Sequence, residues 1–182
     1  MQGLGRLFDI GVGWAPYDLD DDNGATIVGK RISLKNASGI TFIVYGGTGP
    51  AIFTLDVQQH KLYTGGTTAD LDSTAVTDSI GITEWYVKSE AALDNDESWV
   101  RVTQTEASEI DVGTSYGLLQ KLVAVHVAAH QLGSGYTHVS LSHTSDNGTA
   151  HLCGCLYLLH DLKVQRTPAN LGNLLNPGAA NA

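Results

Sequence analysis

From Ile27 onward, apolar and polar residues alternate in short runs broken by Gly, Asn and Asp. This is the period-two pattern of half-buried strands, not the 3.6-residue period of a helix. The runs predicted as strands are 27–34, 40–45, 52–57, 82–88, 99–104, 118–128, 136–142 and 151–164. In the fourth run Trp85 and Val87 fall on one face, and Glu84, Tyr86 and Lys88 on the other. Asn36-Ala37-Ser38-Gly39 and Ser145-Asp146-Asn147-Gly148 each read as the turn of a hairpin, and Asp94-Asn95-Asp96-Glu97 as a turn into Trp99. A short helix fits only between Val57 and Leu62 or between Glu106 and Leu119.

About eight short strands with turns between them predict an all-β fold, an antiparallel β-sandwich or jelly roll with extended N- and C-terminal arms. Residues 1–26 carry Pro16 and an acidic run before Asn23-Gly24, and read as an N-terminal arm. Residues 27–166 form the sandwich, and 167–182, with Pro168 and Pro177, the C-terminal tail.

Composition sharpens this picture. The 182 residues suit one domain, and charged residues make up only 16% against about a quarter in an ordinary soluble domain. Uncharged polar residues and 21 Gly fill the difference, a balance shared by subunits that bury much surface against neighbours. A net charge of −9 speaks against nucleic acid and acidic membrane as partners, because phosphate binding needs clustered Lys and Arg. The longest apolar run, near 118–132, is interrupted by Gln120, Lys121, His126, His130 and Gln131, short of the ~20 residues that span a bilayer. Gln2, Gly3 and Arg6 lead straight into Leu7 to Ile10, without the pattern of a secretion signal. Cys153 and Cys155 share a strand face at a spacing unsuited to a relaxed disulfide, so reduced, buried thiols are expected, in keeping with folding in a reducing cytoplasm.

Chemical motifs are sparse. The seven histidines include no metal-binding spacing, and His126 and His130, if extended, lie roughly 13 Å apart. The run Asp18-Leu19-Asp20-Asp21-Asp22-Asn23-Gly24 resembles a calcium loop, but Gly falls at the seventh position and Gly29 stands where a bidentate Glu is required. Gly133-Ser134-Gly135 lacks the spacing of a nucleophile elbow, and Gly46-Gly47-Thr48-Gly49-Pro50 lacks the Lys-Ser/Thr of a phosphate loop. Glu84, Glu90, Glu106 and Glu109 could meet in a hydrolase, yet no spacing selects them. Trp14, Trp85 and Trp99 could stack on sugar, but alternation favours core or interface anchors. No catalytic residue, cofactor or metal is expected.

The stretch from Trp85 to Trp99 with Val102-Thr103-Gln104, and the stretches Gln131 to Ser140 and Leu156 to Leu171, resemble small structural proteins encoded by tailed phages of actinobacteria. The resemblance covers roughly residues 82–171 and extends weakly back to about residue 27. It implies a decoration or minor capsid protein on the outer surface of a virion whose icosahedral shell is built from an HK97-type major capsid protein. The chain would be made in the bacterial host cytoplasm. The implied partners are the major capsid protein and further copies of the chain, as a trimer at three-fold positions. Leu7, Phe8 and Trp14 at one end and Leu171 and Leu174 at the other are the expected partner-binding anchors, since apolar tail residues seldom stay exposed without use. A tail tube or tail-fibre component and a carbohydrate-binding module are the alternatives.

Overall fold

The computed structural model of the chain describes residues 3–18, 26–49, 53–94, 96–144 and 151–164. Its strands are β1 (Phe8–Asp18), β2 (Ile27–Val28), β3 (Ile32–Ser33), β4 (Gly39–Gly46), β5 (Thr54–His60), β6 (Thr68–Asp70), β7 (Ile82–Glu90), β8 (Val100–Ala107), β9 (Glu109–Asp111), β10 (Gln120–Ala128), β11 (His138–Thr144) and β12 (Leu152–His160). A single helical turn, α1 (Gly113–Tyr116), falls within one of the two windows that the sequence left open for a helix.

The strands form two antiparallel sheets that face each other as a sandwich. The first has the order β1-β12-β4-β10-β7-β8, and the second runs β2-β11-β5-β6, with β3 also on β11 and β9 also on β5. Alternation decides which residues lie between them. Phe42 and Val44 of β4 and Val123, Val125 and Val127 of β10 meet Leu55 and Val57 of β5 and Val139 and Leu141 of β11, all fully buried. Cys153 and Cys155 project from β12 into the same core without a disulfide between them, and burial pushes the Cys155 thiol up.

Strand β7 keeps Trp85 and Val87 inward, as the sequence indicates. A bulge between Ile82 and Glu84 changes the parity of the strand, so that Ile82 is buried on the same side as Trp85 although Trp85 lies an odd number of positions, three, further along. The Trp85 Nε1–H donates to Gln104 Oε1 (3.1 Å) on β8, which joins the edge hairpin to the core.

Three expectations are corrected. The Asn36–Gly39 turn does not close a hairpin: β2 and β3 pair with β11 in the second sheet, whereas β4 pairs with β10 and β12 in the first. Buried Leu34 and Ala37 carry the chain across the core, so the turn joins two sheets instead of two neighbours. Likewise β11 and β12 lie in different sheets, and the Ser145–Gly148 connection falls outside the described residues. The N-terminal arm is not free over 8–18, because β1 adds to the edge of the first sheet against β12. Gly11 and Gly13 make this possible: a Cβ on Gly11 would overlap the Tyr157 ring, and one on Gly13 would lie 2.8 Å from Cys155 Sγ.

Candidate interaction face

The side of the first sheet that points away from the core has an unusual composition. Cross-strand pairing aligns Val12, Leu156, Ile43, Ala124 and Tyr86 in one row over β1, β12, β4, β10 and β7. The adjacent row is Gly154, Tyr45, Leu122 and Lys88, and the row on the other side is Ile10, Leu158, Thr41 and His126. The outward positions of β12, β4 and β10 include no Asp, Glu, Lys or Arg. Among the described residues charge enters this face at β7 and β8, through Lys88, Glu90 and the Arg101–Glu84 ion pair (2.5 Å). Ile10, Val12, Tyr45, Leu152 and Leu156 are 41–66% exposed, so water covers an apolar surface on the order of several hundred Å².

Within this face lies a groove of about 640 Å³, bordered by Val12, Pro16, Ile43, Tyr45, Leu122 and Leu156. Gly154 leaves its floor bare between Tyr45 of β4 and Pro16 of β1. The groove offers contact by shape and apolar area; the thiols of Cys153 and Cys155 and the Tyr45 ring also line it, the two cysteines being buried.

The second sheet is different. Its far side carries His60, His138, Ser140 and Ser142, each no more than 2% exposed. Most of these polar groups are met by one another or by nearby loops: His60 Nε2 lies 2.8 Å from Ser140 Oγ and its Nδ1 2.9 Å from Thr68 Oγ1, while Arg31 donates to the Leu62 and Gly65 carbonyls; His138 Nε2 is buried with no hydrogen-bond partner among the described residues. Burial, with Arg31 and His138 nearby, holds His60 down to about 4. Asp56 on β5 is pushed up to about 6 by burial and then by Asp70.

A second buried polar cluster closes the end of the sandwich near Gly46. Lys121 is fully buried and donates to the Gly47 and Gly117 carbonyls (both 2.9 Å), with its Nζ 5.2 Å from the centre of the Phe53 ring. His143 and His151 pack on the other sides of Phe53, and burial takes both to about 4. Among the described residues Glu90, Asp94, Asp96 and Glu97 bring carboxylate oxygens within 4.8 Å of one another on an exposed turn. Mutual repulsion, from Asp96 first, raises the Glu90 carboxyl.

The expected anchors separate. Leu7 is 61% exposed and Phe8 is half-buried beside it, whereas Trp14 is 6% exposed and belongs to the core, because the bulges flanking it in β1 turn the indole inward. Leu171 and Leu174 lie outside the described residues. Trp85 is also core, and Trp99 stands by itself on the surface with Lys88 Nζ 5.5 Å from its ring centre, so the three indoles do not form a common platform. The apolar outer face is not visible in any one strand of the sequence, because it exists only where several strands lie side by side. Its signal was present in the outward parity of Ile43-Tyr45, Leu122-Ala124 and Leu152-Leu156.

No family model matches the chain, and no curated protein matches it. Among solved structures, one titled "Structure of infectious bursal disease virus Gt strain" aligns with 96% of this chain and 47% of that chain, at 9% identity and a TM-score of 0.24. The chain spans about half of that solved chain, and a likeness at this score carries no argument about fold or role.

Proposed function

We propose that this chain is a virion structural protein that decorates the outer surface of an HK97-type capsid, docking the apolar outer face of its first sheet against the major capsid protein. The observation that carries this reading is the uncharged, exposed apolar surface centred on Tyr45, Leu152 and Leu156. Exposed apolar area of this extent is costly in water and is kept where a protein partner covers it. Complementary packing over such a patch, repeated by many copies around a shell, resists opening of the shell without any single strong contact. The resemblance of residues 82–171 to phage structural proteins supplies the kind of partner. The net charge of −9 is compatible with a position outside the shell, away from packaged DNA. Grouping as trimers at three-fold positions follows from the same resemblance.

The test is co-sedimentation of the purified chain with expanded shells that lack it, with isolated tails as the comparison. Saturable binding to shells, abolished in Leu152→Asp and Leu156→Asp variants that remain folded, is the expected result. Binding to tails, self-polymerised tubes or no binding at all would overturn the proposal.

A further inference from the structure

At the rim of the apolar face two histidines from different strands meet. His126 on β10 and His160 at the end of β12 stack with ring centres 4.8 Å apart, and His160 Nε2 lies 3.1 Å from His126 Nδ1. Their floor is Gly39, the first residue of β4, which lies between those strands. A Cβ there would stand 2.7 Å from His160 Cε1 and 2.8 Å from His126 Cε1. Gly39 is not among the glycines with positive φ, so the space it leaves for the two rings, and not the backbone, accounts for it.

The second nitrogen of His160 faces a carboxylate, with Asp161 Oδ2 3.3 Å from His160 Nδ1. Asp161 adopts φ +52°, a conformation uncommon for a residue other than glycine. It is held there by its N–H donating to the Leu7 carbonyl (3.0 Å) and by its carbonyl accepting from Ser38 Oγ (3.4 Å). A carboxylate in this position favours the Nδ1–H tautomer and leaves the Nε2 lone pair facing His126. This arrangement of carboxylate, imidazole and open lone pair orients histidine ligands in metal sites. Thr41 Oγ1, 3.3 Å from His126 Nδ1, adds an oxygen donor at the same point.

We propose that His126 and His160 form a binding site for a divalent transition-metal ion such as Zn²⁺, with Asp161 as the residue that positions His160. Metal–nitrogen bonds of about 2.0–2.1 Å place adjacent ligand nitrogens about 3.0–3.4 Å apart, which matches the observed separation. Imidazole nitrogens select zinc, copper or nickel over calcium or magnesium. His126 is exposed and borders a hollow of about 200 Å³ with Glu84, Tyr86 and Gln131, so an ion has an approach and room for water at its remaining positions. The acidic turn of Glu90, Asp94, Asp96 and Glu97 is a separate, all-oxygen cluster and is not part of this site.

The experiment is titration of the full chain with Zn²⁺ by calorimetry, and with Co²⁺ followed by its visible absorption. One ion per chain is expected. His126→Ala and His160→Ala should each weaken binding at least tenfold, and Asp161→Asn about tenfold, as for lost outer-shell partners. Gly39→Ala should weaken it with both imidazoles still present. If that variant fails to fold, the surface variants decide the matter. Absence of binding, meaning that the two nitrogens merely share a proton, would overturn the proposal. So would binding that survives removal of both histidines, or that is lost instead in Asp94→Asn and Asp96→Asn.

Discussion

Lys121 Nζ lies 3.1 Å from His151 Nε2, with both side chains fully buried. Together with the Gly47 and Gly117 carbonyls, the imidazole gives the ammonium three acceptors for its three protons. This joins the end of β4, the turn after α1 and the start of β12 at one point. A buried charge met in this way is tolerated, whereas removing it strands its acceptors. Lys121→Met, similar in length and apolar, is expected to lower unfolding free energy by about 2–5 kcal/mol in urea titrations. A loss under half a kcal/mol would mean that the ammonium contributes nothing net.

Because His151 accepts from Lys121, it must stay neutral, and His60 and His143 are buried neutral as well, all three held to about 4. The unfolded chain, with ordinary histidines near 6.5, therefore binds more protons than the folded one between about pH 6.5 and 4. Stability is full above 6.5 and falls as pH drops through that window, by on the order of 1–3 kcal/mol per histidine. Asp56, raised to about 6, has the opposite sign: it favours the folded state at low pH and loses that advantage as pH rises from 3.8 through 6. Three histidines outweigh one carboxylate. The thermal midpoint should fall steadily from pH 6.5 to 4, and His143→Gln should flatten the slope. A midpoint that rises on acidification would contradict the assignment.

Strand β1 rests on the absence of side chains at Gly11 and Gly13. Gly11→Ala drives a methyl group into the Tyr157 ring, and overpacking of this kind typically costs about 1–3 kcal/mol. Since β1 is an edge strand that, among the described residues, pairs with β12 alone, the damage should stay local. Hydrogen exchange should show amides of 8–18 losing protection while those of β4 and β10 keep theirs. If wild-type amides of 8–18 are already unprotected, the segment is an arm after all.

The sandwich was legible where the physics is local. Alternation in 82–88 identified the inward Trp85 and Val87, and the single-residue spacing of Cys153 and Cys155 placed both thiols on one buried face. It was not legible where partners are distant in sequence. The Asn36–Gly39 segment has the residues of a hairpin turn, but the choice of crossing the core depends on β11, about a hundred residues on. Residues 8–18 look like an arm because their glycines remove the apolar alternation, and only Tyr157 and Cys155 explain those glycines. His160 drew no attention in the sequence because its partner, His126, lies 34 residues away across an intervening strand.

The outer face of the first sheet bears on solution behaviour. For the isolated chain in solution this apolar surface is uncovered, and other copies of the chain are the apolar partner at hand. Each copy carries a net charge of −9, so approach is opposed by repulsion that salt screens, with a Debye length of about 10 Å at 0.1 M and 3 Å at 1 M. The contact itself has no ion pair for salt to weaken. Self-association measured by light scattering should therefore strengthen as NaCl is raised from low concentration toward molar, and Leu156→Asp should hold the chain monomeric throughout. Leu156 is 48% exposed, so that substitution should leave the thermal midpoint nearly unchanged. Association that weakens with salt would place the contact on charged surface instead, and a chain monomeric at every salt concentration would show that the apolar face does not pair with itself.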